Sequence, residues 1–397
     1  MKITCTTNNQ GVLLKLSGRF DTAATTQAKT DIAQHLQRVG NVVSLICDCS
    51  ELEYISSSGL RIMLSLAKQY QFFKITELSP EVYQVFEMTG FTKIMKVEKA
   101  LRKMSVDGCD IIGRGGVGVV YRIDDDTIIK VFREGTSLDE VQTEIRMAKE
   151  AFVLGMPTAI SFDVVKVGQQ YGLVYELLKA ETLSSCVSRN PQLIDEFAKK
   201  YAQLFRQLHE IEVDPDGQIP NALDLIDKSI VGIGKYFTED EQQMMRTIIA
   251  AIPKGNRLLH CDLQTKNAMV QGEELLLIDM GEVGYGHPII DLGNSYSAMM
   301  SLIGDYKQII GMDEQLAQQM WMSMIHYYFE GETEDFIQHR IKQIDVVARV
   351  RNFTWLSLSD SFPQEVINTC RQEFIHRITD NKGYILDVCK TLDDWTL

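Results

Sequence analysis

Two apolar strands, each ending in a polar turn, set the architecture of most of this chain: Leu258-Leu259-His260-Cys261-Asp262-Leu263-Gln264-Thr265-Lys266-Asn267 and Leu275-Leu276-Leu277-Ile278-Asp279-Met280-Gly281. Phosphoryl transfer needs a carboxylate that orients or deprotonates the attacking hydroxyl, and Asp262 fits that need. Asn267 and Asp279 carry oxygen ligands of the kind that Mg²⁺ prefers. Taken singly, Asp262 could be a helix cap and Asp279 an ordinary turn acid. Together they predict one phosphoryl-transfer site.

A glycine pattern upstream predicts a phosphate-binding loop. Gly113, Gly115 and Gly118 have the spacing Gly-x-Gly-x-x-Gly, and Gly116 lies within it. Residues 119–123 are rich in β-formers and lead into an aspartate turn, so the glycines are expected in a hairpin and not at the start of a helix. Such a hairpin lets backbone N–H groups lie close to phosphates. By itself, the pattern is also compatible with a plain hairpin turn.

A lysine inside an apolar strand is expected to have a buried partner. Lys130 interrupts such a strand, twelve residues after the last of those glycines. Glu144, in the helical stretch 138–154, is the expected partner and would hold Lys130 against the α- and β-phosphates of a nucleotide. Glu140 and Glu150 lie on the same helix and are the alternatives.

These motifs, in this order, resemble the protein-kinase-like superfamily, and in detail its aminoglycoside/choline phosphotransferase branch. Cys261 replaces the arginine of the His-Arg-Asp motif of protein kinases, and Met280 replaces the phenylalanine of Asp-Phe-Gly. Only twelve residues separate Asp279 from Asp291, which is too few for a full activation segment. The segment His287-Pro288-Ile289-Ile290-Asp291-Leu292 is similar to the one that follows the catalytic residues in small-molecule kinases, where its aspartate is structural.

The resemblance implies an ATP- and Mg²⁺-dependent enzyme that phosphorylates a hydroxyl of a small molecule. The catalytic group that it implies consists of Asp262, Lys130, Glu144 and His260. The glycine loop and Lys130 would bind the phosphates, and the backbone of Glu176 and Leu178 would bind the adenine. Tyr175 would stand at the gatekeeper position, although packing behind the site is equally compatible with it.

A different pattern occupies the first hundred residues: Leu16-Ser17-Gly18-Arg19-Phe20-Asp21, Cys47-Asp48-Cys49-Ser50 and Tyr54-Ile55-Ser56-Ser57-Ser58-Gly59-Leu60. It resembles the STAS domain of the anti-sigma-factor antagonists, which implies a protein partner. In that family a kinase phosphorylates the first serine of an Asp-Ser-Ser-Gly turn. The corresponding residue here is Ser57, with Ser56 in place of the aspartate. Ser57 is thus a candidate phosphosite, and a serine that caps the following helix is the alternative.

The length of 397 residues predicts two or three domains, at about one per 150 residues. We expect an α/β STAS module, a small mixed sheet with helices, at residues 1–100. An α+β bilobal protein-kinase-like fold is expected at 101–397. Its N-lobe would cover about 101–178, and its largely helical C-lobe about 179–397.

The amino-acid composition limits the classes of partner that are expected. The net charge is −14, with +2 in the first hundred residues and −16 in the rest, which argues against a nucleic-acid binder. No apolar run approaches the roughly 18 residues that cross a bilayer, so no membrane is expected. The eight scattered cysteines are typical of reduced thiols in the cytoplasm.

Two functions stay open on these grounds. The first is a small-molecule kinase that a STAS module regulates. The second is a signalling or partner-switching protein, in which the kinase fold senses nucleotide or phosphorylates Ser57 or a partner protein. Degenerate kinases usually lose the lysine or one of the two aspartates, and Lys130, Asp262 and Asp279 are all present, which favours chemistry.

Overall fold

The computed structural model describes residues 1–8, 11–39, 43–354, 356 and 363–395. The chain divides into two compact units, Met1–Met104 and Ser105–Leu397.

The first unit is built on one sheet. Its strands are β1 (Lys2–Asn8), β2 (Gly11–Phe20), β3 (Ser44–Ile55), β4 (Phe72–Leu78) and β5 (Lys96–Lys99). They lie in the order β1-β2-β3-β4-β5, with β1 antiparallel to β2 and the other neighbours parallel. The helices are α1 (Thr22–Val39), α2 (Ser57–Gln69) and α3 (Pro80–Met88), and a short strand, β6 (Arg102–Met104), ends the unit.

Alternation of side chains gives this sheet its core face. Along β2, Val12, Leu14 and Leu16 are 0–3% exposed, whereas the residues between them are only partly buried. Successive residues of a strand point to opposite faces, so these apolar residues share one face. The mixed sheet with helices confirms the α/β class predicted for this part of the chain.

The second unit begins with an antiparallel sheet. Its strands are β7 (Asp110–Arg114), β8 (Gly118–Arg122), β9 (Thr127–Phe132), β10 (Ser161–Val167) and β11 (Gln170–Glu176). These five lie in the order β10-β11-β9-β8-β7. One helix, α4 (Leu138–Val153), separates β9 from β10 in the chain and carries a Ser137–Glu140 capping box at its start.

The rest of this unit is largely helical. Its described helices are α5 (Leu183–Arg189), α6 (Ile194–Glu210), α7 (Ala222–Gly232), α8 (Glu239–Ala250), α9 (Ile289–Met299), α10 (Tyr306–Ile310), α11 (Glu314–Tyr328), α12 (Glu334–Thr354), α13 (Gln364–Phe374) and α14 (Lys382–Cys389). Its strands are β12 (Glu181–Thr182), β13 (Arg257–Leu259), β14 (Ala268–Gln271), β15 (Glu274–Leu277) and β16 (Gly284–Gly286). A sheet followed by a helical region confirms the predicted α+β kinase-like fold.

One glycine of the predicted loop is required by strand packing. A Cβ on Gly118 would lie 2.2 Å from the carbonyl oxygen of Val131, in the strand that pairs with it. A Cβ on Gly115 would have no atom within 4 Å. We therefore expect Gly118→Ala to lower the free energy of unfolding by about 2 kcal/mol, because backbone must shift to make room. Gly115→Ala is the matched control, and denaturant titration of both variants makes the comparison. Equal stability of the two would contradict the packing argument.

Candidate active site

A cluster of ion pairs surrounds Lys130. The strand β9 carries Lys130, whose Nζ donates to Glu144 Oε1 and to Asp279 Oδ1, each at 2.8 Å. The hydroxyl of Tyr175 also donates to Glu144 Oε1, at 3.0 Å. Of the three glutamates considered on α4, Glu144 is thus the one that meets the lysine, and Glu140 instead belongs to the capping box.

The charged groups in this cluster shift one another's pKa values. Burial lowers the pKa of Lys130, but the neighbouring carboxylates of Asp279 and Glu144 outweigh it and raise that pKa above its usual value. Burial raises the pKa of Asp279, but Lys130 outweighs it and holds that pKa below its usual range. The pKa of Glu144 is raised by its burial, against the opposing effect of Lys130. Lys130 and Asp279 are therefore both charged at neutral pH.

Asp262 lies in the turn that follows β13, and amide groups hold its carboxylate. The Nδ2 of Asn267 donates to Asp262 Oδ2 at 2.8 Å and to the Asp262 carbonyl at 2.9 Å. The Nε2 of Gln264 lies 3.2 Å from both carboxylate oxygens. Burial raises the pKa of Asp262, with His260 opposing and Asp279 reinforcing the shift. These neutral amide donors orient the carboxylate.

The backbone before Asp262 is fixed by a buried acid. The carboxylate of Asp291, in α9, accepts hydrogen bonds from the backbone N–H of His260 at 2.9 Å and of Cys261 at 2.7 Å. Cys261 has φ +62°, a conformation that non-glycine residues rarely adopt. Arg351 Nη2 and the side-chain amide of Asn294 both donate to the Cys261 carbonyl, the former at 2.9 Å. The turn that presents Asp262 is therefore held from several sides.

His260 connects the two motif segments. Its Nδ1 accepts from the backbone N–H of Asp262 at 3.3 Å, so Nε2 carries the proton in the neutral ring. That Nε2 lies 3.0 Å from the carbonyl oxygen of Ile278, the residue before Asp279. The backbone N–H of Ile278 in turn donates to the Asn267 carbonyl at 3.0 Å. These contacts keep Asp262, Asn267 and Asp279 in one constellation.

The backbone segments predicted to bind the nucleotide are the hairpin between β7 and β8 and the end of β11. Gly113 lies at the end of β7 and Gly118 at the start of β8, so residues 115–117, with Gly115 and Gly116 among them, form the tip of a hairpin. Glu176 ends β11, where its N–H donates to the Ile160 carbonyl at 3.0 Å and its Oε1 accepts from the Ile160 N–H at 2.6 Å. Leu178, two residues after Glu176, is half-buried.

The candidate phosphosite lies in the other unit. Ser57 is the exposed first residue of α2, and the cap of that helix is Ser56, whose hydroxyl accepts from the N–H of Gly59 at 3.3 Å. The helix-capping alternative thus falls on Ser56. Serine and aspartate are comparable N-caps, so a serine in place of the family's aspartate retains the cap.

The oxygen donors fit a magnesium ion. Within the part of the chain that the structure describes, no three His, Cys, Asp or Glu side chains surround a common metal position. Mg²⁺ commonly binds to nucleotide enzymes through one or two protein ligands, with phosphate and water oxygens completing its shell. Asn267 uses its amide nitrogen on Asp262, which leaves its amide oxygen for a cation, and Asp279 offers a carboxylate that is 41% exposed. Two such oxygen donors are enough for a Mg²⁺ ion that is bound mainly by phosphate and water oxygens.

Several contacts at this site were not predicted from the sequence. They involve Tyr175, Gln264, Asn294 and Arg351. Gln264 lies inside the motif, so its position close to Asp262 was a usable signal. Asn294 and Arg351 belong to no motif, and only the packing of α9 and α12 brings them to the turn.

No helix in the described ranges is long and apolar enough to span a membrane.

The sequence matches two families. Residues 2–104 match the STAS domain, and residues 112–316 match the phosphotransferase enzyme family, known as APH. The first match is supported by a curated protein of Bordetella bronchiseptica named "Putative anti-sigma factor antagonist BtrV". It is 34% identical over 101 residues, which cover 24% of this chain and 85% of that protein.

Solved structures include similar chains. A choline/ethanolamine kinase family protein from Mesorhizobium loti has 16% identity and a TM-score of 0.47, covering 71% of this chain and 92% of that one. A Plasmodium vivax ethanolamine kinase has 12% identity and a TM-score of 0.48, with 88% and 93% covered. A streptomycin-ATP-APH(2")-IIa ternary complex has 16% identity and a TM-score of 0.46, with 68% and 92% covered.

The family match spans the residues that form the ion-pair cluster and the turn of Asp262, and the other match spans the whole first sheet. The chain belongs to the phosphotransferase enzyme family and carries a STAS domain at its N-terminal end.

Proposed function

We propose that this protein transfers the γ-phosphoryl group of ATP to a hydroxyl of a small molecule, with Mg²⁺, and that its STAS domain regulates the reaction. The observation that carries the proposal is the pair of 2.8 Å contacts from Lys130 to Glu144 and Asp279. In protein kinases a lysine of this kind pairs with a glutamate of the following helix, and an aspartate that binds Mg²⁺ completes the phosphate site, which supports the proposal.

The binding roles follow from the donors available. Lys130 pairs with the α- and β-phosphates, and backbone N–H groups of residues 115–117 cover them from the hairpin tip. The backbone at Glu176 and Leu178 binds the adenine. Asn267 and Asp279 would hold Mg²⁺, which supplies positive charge to the phosphate oxygens when it is bound. Asp279 would then exchange part of its contact with Lys130 for the cation.

Asp262 acts on the acceptor. The acceptor oxygen forms a bond to the γ-phosphorus while the bond to the β–γ bridging oxygen breaks, and ADP leaves with that electron pair. The hydroxyl proton passes to the Asp262 carboxylate. Hydrogen bonds from Asn267 and Gln264 keep that carboxylate oriented, and its raised pKa makes it a stronger base than an exposed aspartate.

Removal of the lysine tests the nucleotide site. In Lys130→Met, we expect the Kd for MgATP to rise about 10- to 100-fold, because a charge-assisted hydrogen bond contributes about 1.5–3 kcal/mol. Titration calorimetry gives the Kd, and a parallel unfolding curve shows whether the variant is folded. Lys390→Met, at an exposed lysine, makes the same chemical change and should bind as the wild type does. An unchanged Kd in the folded Lys130 variant would refute the assigned role.

A second function, phosphorylation of Ser57 or of a partner protein, is favoured by one observation. Ser57 is exposed at the first position of α2, where a phosphate would meet the backbone N–H groups of the first turn and the positive end of the helix dipole. Peptide mapping by mass spectrometry after incubation of the full chain with MgATP decides between the two, because it assigns a phosphate to a residue. A phosphate on Ser57 supports this second function, and an unmodified chain beside a phosphorylated metabolite supports the first.

The eight cysteines are all free, in keeping with action in the cytoplasm, where we place the protein.

A further inference from the structure

The turn that presents Asp262 contains a strained residue. Cys261, directly before Asp262, has φ +62°, a region that is unfavourable for a non-glycine residue. Such a conformation persists only where the surroundings over-determine it. The position of the Asp262 carboxylate therefore depends on the groups that hold the Cys261 peptide.

Two sets of contacts hold the Cys261 backbone. Its N–H donates to Asp291 Oδ1 at 2.7 Å. Its carbonyl oxygen accepts from Arg351 Nη2 at 2.9 Å and also from the side-chain amide of Asn294. Arg351 Nε donates to the amide oxygen of Asn294, so the arginine orients the second donor as well as supplying the first. Removal of Arg351 thus deletes one bond to this carbonyl and leaves the Asn294 amide without the donor that orients it.

Arg351 comes from outside the part of the chain that identifies the family. It lies near the end of α12 (Glu334–Thr354), whereas the family match ends at residue 316. We infer that Arg351 is a positioning residue: through the Cys261 carbonyl, it fixes the turn that places the Asp262 carboxylate for phosphoryl transfer. This inference rests on the proposed function and adds to it a requirement for α12.

A matched pair of arginines on one helix makes the inference testable. Arg349, two residues earlier on α12, pairs with Asp345 at 2.8 Å and donates to the Arg377 carbonyl, away from the catalytic turn. The assay is turnover of MgATP by the full chain with water as the acceptor. In Arg351→Met we expect kcat to fall about 10- to 100-fold, because small misplacements of a catalytic group are that costly. KM for MgATP should stay within about twofold, because Lys130 and its partners are untouched.

The controls separate positioning from loss of fold. Arg349→Met should lower the unfolding midpoint to a similar extent and keep kcat within about threefold of the wild type. Arg351→Lys, which retains one donor, should recover part of the lost kcat. Wild-type kcat in Arg351→Met, or an equal loss in the two methionine variants, would overturn the inference alone. Absence of MgATP binding by the wild type, or full turnover in Asp262→Asn, would overturn the proposed function and this inference with it.

Discussion

Asp262→Asn should abolish phosphoryl transfer while leaving nucleotide binding almost unchanged. An amide has nearly the shape of a carboxylate but cannot take up the acceptor proton, so kcat is expected to fall about 10²- to 10⁴-fold. The new amide must also present one NH₂ group to Asn267 or Gln264, which now donate to Asp262, and this disturbs its orientation. Steady-state turnover of MgATP and the Kd for MgADP are the two measurements.

The control for this variant is an exposed aspartate whose carboxylate accepts one backbone hydrogen bond. Asp214 accepts from the N–H of Asp216 at 3.0 Å in an exposed turn, and Asp214→Asn should keep full turnover. If Asp262→Asn retained more than about a tenth of the wild-type kcat, general-base assistance from this residue would be too small to justify its assigned role. A large rise in the Kd for MgADP would show instead that the residue supports binding.

Asp291→Ala should produce the largest loss of stability among single changes near the site. Asp291 is fully buried and accepts the backbone N–H groups of His260 and Cys261. Alanine leaves both donors buried without a partner, and each such group costs about 1–3 kcal/mol. We therefore expect the free energy of unfolding to fall by about 2–6 kcal/mol, together with loss of turnover, because the strained turn is released.

Denaturant unfolding measures this effect, and the asparagine variant calibrates it. Asp291→Asn keeps one acceptor oxygen, so its loss should lie between those of the wild type and of the alanine variant. An alanine variant as stable as the wild type would mean that water or another group satisfies the two N–H donors. The view that Asp291 supports the turn would then be wrong.

The sequence predicts the parts of the site whose spacing reflects chemistry. Lys130 and Glu144 are fourteen residues apart on a strand and the next helix, and the structure places them 2.8 Å apart. One of the two alternative glutamates of α4 could also be excluded from the sequence. Ser137 and Glu140 have the Ser-x-x-Glu spacing of a capping box, which accounts for Glu140 and removes it as an alternative.

Contacts that depend on how the helices pack could not be predicted from the sequence. The bond from Arg351 to the Cys261 carbonyl joins residues 90 positions apart, and its existence depends on how α12 lies against the turn. The positive φ of Cys261 is likewise unpredictable from a residue type that normally avoids it. The fold class followed from periodicity together with the resemblance of the motifs to known families, whereas the contacts that anchor the turn before Asp262 needed coordinates.

We propose that Lys130, Asp262, Asn267 and Asp279 all bind or act on one nucleotide. A crystal structure of the full chain with Mg²⁺ and a non-hydrolysable ATP analogue tests it most directly. The expected result is a cation bound by the oxygens of Asn267 and Asp279, Lys130 on the α- and β-phosphates, and the γ-phosphate facing Asp262. A nucleotide bound elsewhere, or a γ-phosphate turned away from Asp262, would contradict the account.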